Sequence, residues 1–141
     1  MSSHFWPCAA LALLAAGALG ETVSESPDAA VARYDYLLHC AGCHLADGSG
    51  APPEVPPLRS MARLAAMPDG RDYLVRVPEV AQAPLRNARL ANLLNWALQE
   101  FSRDKSPAGF RPLSAKEVGD ARRRILKDPL RTRAEILEAA R

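Results

Sequence analysis

The sequence predicts an all-α fold, and three observations carry that prediction. Leu90, Leu93, Leu94, Ala97, Leu98 and Phe101 recur at helical spacing through residues 87–101 as one continuous apolar stripe. Two later segments carry helix-start chemistry: Ser114 has Glu117 three residues on, and Asp128 is followed by Pro129. No run of four or more residues alternates apolar and polar as a half-buried strand would, so almost no sheet is expected.

Taken in order, the chain opens with an apolar run from Phe5 to Leu19 that ends in Ala18-Leu19-Gly20, a small-x-small pattern. The run is too short to span a bilayer with ease and reads as a secretory signal over residues 1–20. No Lys or Arg precedes it, so an uncleaved membrane anchor is the alternative. Cleavage after Gly20 removes Cys8 and leaves one domain over residues 21–101 with an extension over 102–141.

A helix is expected from about Pro27 to Leu45, capped by Ser26 or Asp28, with Val31, Tyr34, Leu37 and Leu38 as its apolar stripe. Four prolines and two glycines make Ala46 to Pro57 an irregular loop. Leu58 to Met67 reads as a short helix, Asp69 to Leu74 as one or two capped turns, and Val75 to Pro84 as extended and irregular. Asn87 is the expected N-cap of the 87–101 helix. Beyond it, Leu113 and Val118 are spaced as a hydrophobic staple around the Ser114–Glu117 capping box, with Ala121, Ile125 and Leu126 on the same face as Val118. Asp128 and Pro129 open a last short helix carrying Leu130 and Leu137.

Charge is uneven. Residues 102–141 hold 11 Lys+Arg and 6 Asp+Glu, whereas residues 21–101 hold 7 and 10. A mildly acidic body thus carries a basic C-terminal extension, with Arg122, Arg123 and Arg124 in a run. The balance is too weak to suggest nucleic acid, and no nucleic-acid motif occurs. The arginine run reads either as a solvated helix face or as a docking element for an acidic partner or an anionic membrane surface.

The chemistry concentrates in His39-Cys40-Ala41-Gly42-Cys43-His44. With three cysteines and three histidines in 141 residues, C-x-x-C-H is expected by chance only about 0.001 times per chain. It is the attachment signal for c-type haem. Residues three apart share one side of a helical turn, so Cys40 and Cys43 reach the two vinyl groups on one porphyrin edge as thioethers. His44, next to Cys43, lies under the iron as proximal ligand. The rivals are weaker: a redox dithiol needs a preceding strand, a zinc knuckle needs a second ligand pair, and a bare disulfide across so short a loop explains neither the histidine nor the spacing.

With the motif on its helix, the stretch from about 28 to 101 resembles the class I monohaem cytochromes c. The resemblance implies a helical fold around one covalent haem c, with the 87–101 helix crossing the first. It puts Tyr34 in the place of an aromatic before the motif. It makes Pro56-Pro57-Leu58 the family's P-x-L element, with the Pro56 carbonyl accepting from His44 Nδ1. The family's second axial ligand is usually a Met in the loop before the last helix. Here that loop, Val75 to Leu85, has none. The sixth ligand falls to Met67, to Met61, or to neither, in which case Gln82 or Asn87 approaches weakly or the distal side holds water. Arg71 is a candidate partner for a haem propionate.

These features imply an electron carrier rather than an enzyme. It passes single electrons between a dehydrogenase and an oxidase or another carrier, in an exported compartment such as a bacterial periplasm; membrane contact is not required. Two alternatives stand: a ligand-binding or sensing haem protein with an open distal site, and an electron-accepting subunit of a dehydrogenase complex with the extension as assembly element.

Overall fold

The computed structural model describes residues 27–102 and 111–140; the expected signal over residues 1–20 lies outside them. The architecture is all-helical: α1 (Pro27–His39), α2 (Ala41–His44), a 3-10 turn (Leu58–Ser60), α3 (Met61–Ala65), α4 (Pro68–Arg76), α5 (Pro78–Ala81), α6 (Asn87–Phe101), α7 (Ala115–Ala121) and α8 (Pro129–Ala139). Its only strand-like feature among the described residues is an isolated bridge between Ala51 and Val55.

The α6 helix spans the residues its leucine stripe predicts, and Leu90, Ala91, Leu93, Leu94, Ala97 and Leu98 are buried. Its N-cap is Arg86, in extended backbone, rather than Asn87. The Asn87 side chain is engaged elsewhere: its Oδ1 accepts from Arg122 at 3.2 Å. On one side α6 packs against α1, and on another against α7.

The α1 helix does not bury the expected face. Val31, Tyr34, Leu37 and Leu38 are all exposed. Ala32, Asp35 and Tyr36 are buried instead. The reason lies in what α6 presents. Ala32 has no bulk to hold the two helices apart. Asp35 lies within reach of Arg89, which donates to both its oxygens at 2.7 Å. The Tyr36 ring joins Trp96 and Phe101, with centroids 5.5 and 4.9 Å away, distances at which tilted aromatic pairs attract.

Residues 75–84 are not extended. Arg76 closes α4, and Pro78 starts α5 as its first helical residue, where a missing N–H costs nothing. Both later helices start as read. Ser114 and Glu117 form a complete capping box, and Leu113 and Val118 are buried beside it. Asp128 accepts from the Arg131 N–H with Pro129 at the first turn. Their faces are narrower than expected, since Ile125 and Leu130 are exposed.

The extension is built into the body. Asn95 on α6 donates to the Leu113 carbonyl at 2.9 Å and accepts its N–H at 2.8 Å. Leu126 N–H donates to the Arg76 carbonyl at 2.9 Å. Leu113, Val118, Ala121 and Leu126 belong to the same apolar core as Tyr36, Leu64, Val75 and Leu90.

Candidate haem-binding site

The motif sits where α1 breaks and α2 begins. Cys40 has φ −124°, outside helical geometry, yet its carbonyl accepts from Cys43 N–H at 3.2 Å and His44 N–H at 2.9 Å. The turn therefore stays helical enough to keep both cysteines on one side. Both thiols are free; Cys40 is half-buried and Cys43 exposed. Burial, with Asp35 and Cys43 adding to it, pushes the Cys40 thiol up to about 11, so it stays protonated at neutral pH.

Immediately after His44 the chain reverses. Leu45 adopts φ +61°, unusual for a residue with a Cβ, and its carbonyl accepts from the Tyr36 hydroxyl. This contact locks the reversal to α1. It also holds the Tyr36 phenol in its protonated form, with burial pushing it up to about 12. Tyr36, not Tyr34, is thus the aromatic that shapes the motif. Its register was legible in principle: it lies one helical turn before Cys40, on the cysteine's own side.

The loop that follows folds back over the motif. Gly48 and Gly50 both have positive φ, 70° and 66°, the backbone region that glycine enters without cost. A Cβ at Gly48 would meet the Phe101 ring at 2.6 Å. Gly50 N–H donates to the His44 carbonyl at 3.1 Å, and Leu58 N–H to the Gly48 carbonyl at 2.8 Å. The fold-back brings the Pro56 carbonyl to His44, as the family resemblance implies.

His44 is half-buried, and burial lowers the proton affinity of its imidazole; the Pro56 carbonyl and the Glu79 charge oppose that in part. The neutral ring, the form that ligates a metal, is therefore favoured. Its Nδ1 is buried and makes no hydrogen bond of full geometry, although the Pro56 carbonyl lies beside the ring. Glu79 is on α5, so the segment between α4 and α6 lies near His44.

Other candidates fall in different places. Met61 is 7% exposed and belongs to the core, while Met67 is half-buried, packs against that core and precedes α4 as its N-cap residue. Gln82 is exposed. Arg71 is not free for a propionate: its guanidinium donates to the Arg111 carbonyl at 2.7 Å and to Glu117 at 3.2 Å. Among the described residues no three His, Cys, Asp or Glu side chains gather as a bare metal site. Two free thiols one turn apart and a neutral, backbone-flanked imidazole beside them are a donor set that fits covalent haem.

Over 106 residues the chain is 32% identical to cytochrome c-552 of Thermus thermophilus, an alignment covering 62% of this chain and 81% of that protein. A second cytochrome c-552, from a characterised strain of the same species, is also 32% identical over 106 residues, with 72% of its length covered. No family model matches the chain, and no solved structure does. An all-helical chain with this motif and these relatives belongs to the class I c-type cytochromes. It is an electron carrier rather than an enzyme, and its cofactor is covalently bound haem c.

Proposed function

We propose that Cys40 and Cys43 carry the haem as thioethers, each adding its S–H across one vinyl double bond, and that His44 is the proximal iron ligand. One observation supports this above the rest: the helical turn at Cys40–His44 sets both thiols and the half-buried imidazole together, with the Pro56 carbonyl against the ring. The covalent links secure the haem in a chain too small to enclose it, and the carbonyl fixes the ring. The protein passes single electrons between a dehydrogenase and an oxidase or another carrier. Its place is an exported compartment such as a bacterial periplasm, which the apolar run and small-x-small pattern of residues 1–20 support. No helix among the described residues is long and apolar enough to cross a membrane. Met67 is the candidate sixth ligand, because Met61 is committed to the core.

A second function rests on the distal segment. Residues 77–86 carry no methionine and are tied to α7 by hydrogen bonds, which favours a distal side open to a small ligand. The spectrum of the dithionite-reduced protein, with and without carbon monoxide, separates the two. A protein without haem refutes both. A low-spin reduced spectrum indifferent to carbon monoxide supports the carrier with a held sixth ligand, which Met67→Ala then opens. A spectrum that shifts supports the open site.

A further inference from the structure

The run Arg122-Arg123-Arg124 looks from sequence like a charged surface. In the fold its first member turns inward. Arg122 Nε donates to the Ala81 carbonyl at 2.8 Å. One terminal nitrogen donates to the Leu85 carbonyl at 2.8 Å and to Asn87 Oδ1 at 3.2 Å. The other donates to the Ala83 carbonyl at 2.7 Å. Carbonyls from three alternate residues of one short segment therefore converge on a single guanidinium. Its planar fork of five N–H donors suits that task, and a lysine's single ammonium does not.

The clamp has a fixed base. On the next turn back, Gly119 lies so close to Asn87 that a Cβ there would meet the Asn87 amide nitrogen at 2.5 Å. The buried Val118 and Ala121 seat α7 in the core. The N-terminal end of α7 is held by Glu117, which accepts from Arg71 at 3.2 Å and Arg111 at 2.7 Å. Moving the segment thus means breaking the Arg122 bonds or moving α7 across the core.

The segment so held runs from the end of α5 to the start of α6, where cytochromes of this class usually carry the methionine that this chain lacks. Glu79, just before it, is near enough to His44 to act on the ring. We propose that Arg122 is a positioning residue of the haem site. By gathering the Ala81, Ala83 and Leu85 carbonyls it fixes the wall opposite His44, so that the extension, rather than a ligand-bearing loop, sets access to the iron. The proposal rests on the haem assignment made above.

The test is the rate at which carbon monoxide associates with the reduced, haem-loaded full-length protein, with the reduced absorption spectrum and the reduction potential as companion readouts. The chains compared are wild type, Arg122→Ala, Arg122→Lys, Asn87→Ala and Arg131→Ala. Arg131 is exposed and its side chain pairs with Glu135 on its own helix, so it controls for lost charge. Arg122→Ala is expected to raise the association rate at least tenfold, or to create carbon monoxide binding where wild type shows none. Arg122→Lys should lie close to the alanine variant. Asn87→Ala removes one bond of four and should give a smaller rise, and it carries the test alone if Arg122→Ala does not fold. Arg131→Ala should match wild type. A lowered melting temperature with the association rate within twofold of wild type and an unmoved potential and spectrum would overturn the proposal, leaving Arg122 a structural strut. Equal rises in Arg122→Ala and Arg131→Ala would overturn it too, pointing to net charge. A wild-type protein that holds no haem refutes the haem assignment itself, and the proposal with it.

Discussion

Removing Arg89 should damage the fold more than removing Asp35, although each deletes the same ion pair. The Asp35 side chain is 1% exposed and that of Arg89 is 47% exposed. Both carboxylate oxygens depend on Arg89, each accepting one N–H at 2.7 Å. In Arg89→Ala the carboxylate stays between α1 and α6 with neither bond, and an uncompensated buried charge of this kind costs about 3–5 kcal/mol. In Asp35→Ala the buried charge goes, and the half-exposed guanidinium regains water. The loss is then two charge-assisted bonds less that rehydration, about 1–2 kcal/mol. The double variant should lie near Asp35→Ala, well short of the sum. Guanidinium unfolding of the haem-loaded proteins, followed by far-ultraviolet circular dichroism at pH 7, gives the three values. An Asp35→Ala loss equal to or larger than that of Arg89→Ala would refute the assignment of α1's buried face. So would additive single losses.

Tyr36→Phe should cost about 1 kcal/mol by the same assay, since it removes the donor to the Leu45 carbonyl while keeping the ring contacts; Tyr34→Phe, on the exposed face, should stay within about 0.5 kcal/mol. Gly48→Ala should lose about 2–4 kcal/mol, combining a left-handed backbone with a methyl driven into the Phe101 ring, and a loss under about 1 kcal/mol would contradict that packing. Glu117→Gln should lose about 1–2 kcal/mol at pH 7, discounted for a side chain one-third exposed. Bonds from Arg111, Ser114 and Arg71 hold the Glu117 carboxyl well below its ordinary 4.5, so its stabilisation is complete above that value and is lost as pH falls below it. Melting curves of wild type and Glu117→Gln should therefore converge on acidification below about pH 4.5, and a constant gap down to about pH 2.5 would count against it.

What the sequence disclosed follows from which interactions are local. The α6 helix was legible end to end because its leucine stripe repeats every turn. The capping box at Ser114 and the cap at Asp128 were legible because cap and partner lie three residues apart. The first helix was misread for the converse reason. Its apolar stripe, Val31, Tyr34, Leu37 and Leu38, has the right period, but the face that α6 buries includes an aspartate. Burying Asp35 is tolerable only because Arg89 lies opposite, 54 residues away, and no window of periodicity contains both. Arg122 escaped similarly. A triple-arginine run is indistinguishable from a solvated face until the carbonyls 37 to 41 residues earlier are brought to it. The Cys40, Cys43 and His44 cluster was the opposite case: motif chemistry alone named it, and the fold adds the Tyr36–Leu45 contact and the glycine loop that shape its surroundings.

An electron carrier works best when little moves as the iron changes oxidation state, and the way this chain obtains stiffness bears on how its extension should be understood. On the proposed proximal side, the Tyr36 hydroxyl, the Gly48–Gly50 fold-back and the Pro56 carbonyl each tie a neighbour of His44 to α1 or α6. On the opposite side, residues 81–87 contribute few apolar side chains of their own, and the described hydrogen bonds that fix them come largely from Arg122. A peripheral docking tail would leave its cations in solvent. Here Arg124 pairs with Asp72 and Arg71 reaches back to Glu117, so that α4, the distal segment and α7 share one polar network over one apolar core. The net positive charge of residues 102–141 therefore overstates what the extension offers a partner. Part of that charge is already answered by the acidic body it closes upon, which makes a structural role at the haem site the stronger account of why the extension is there.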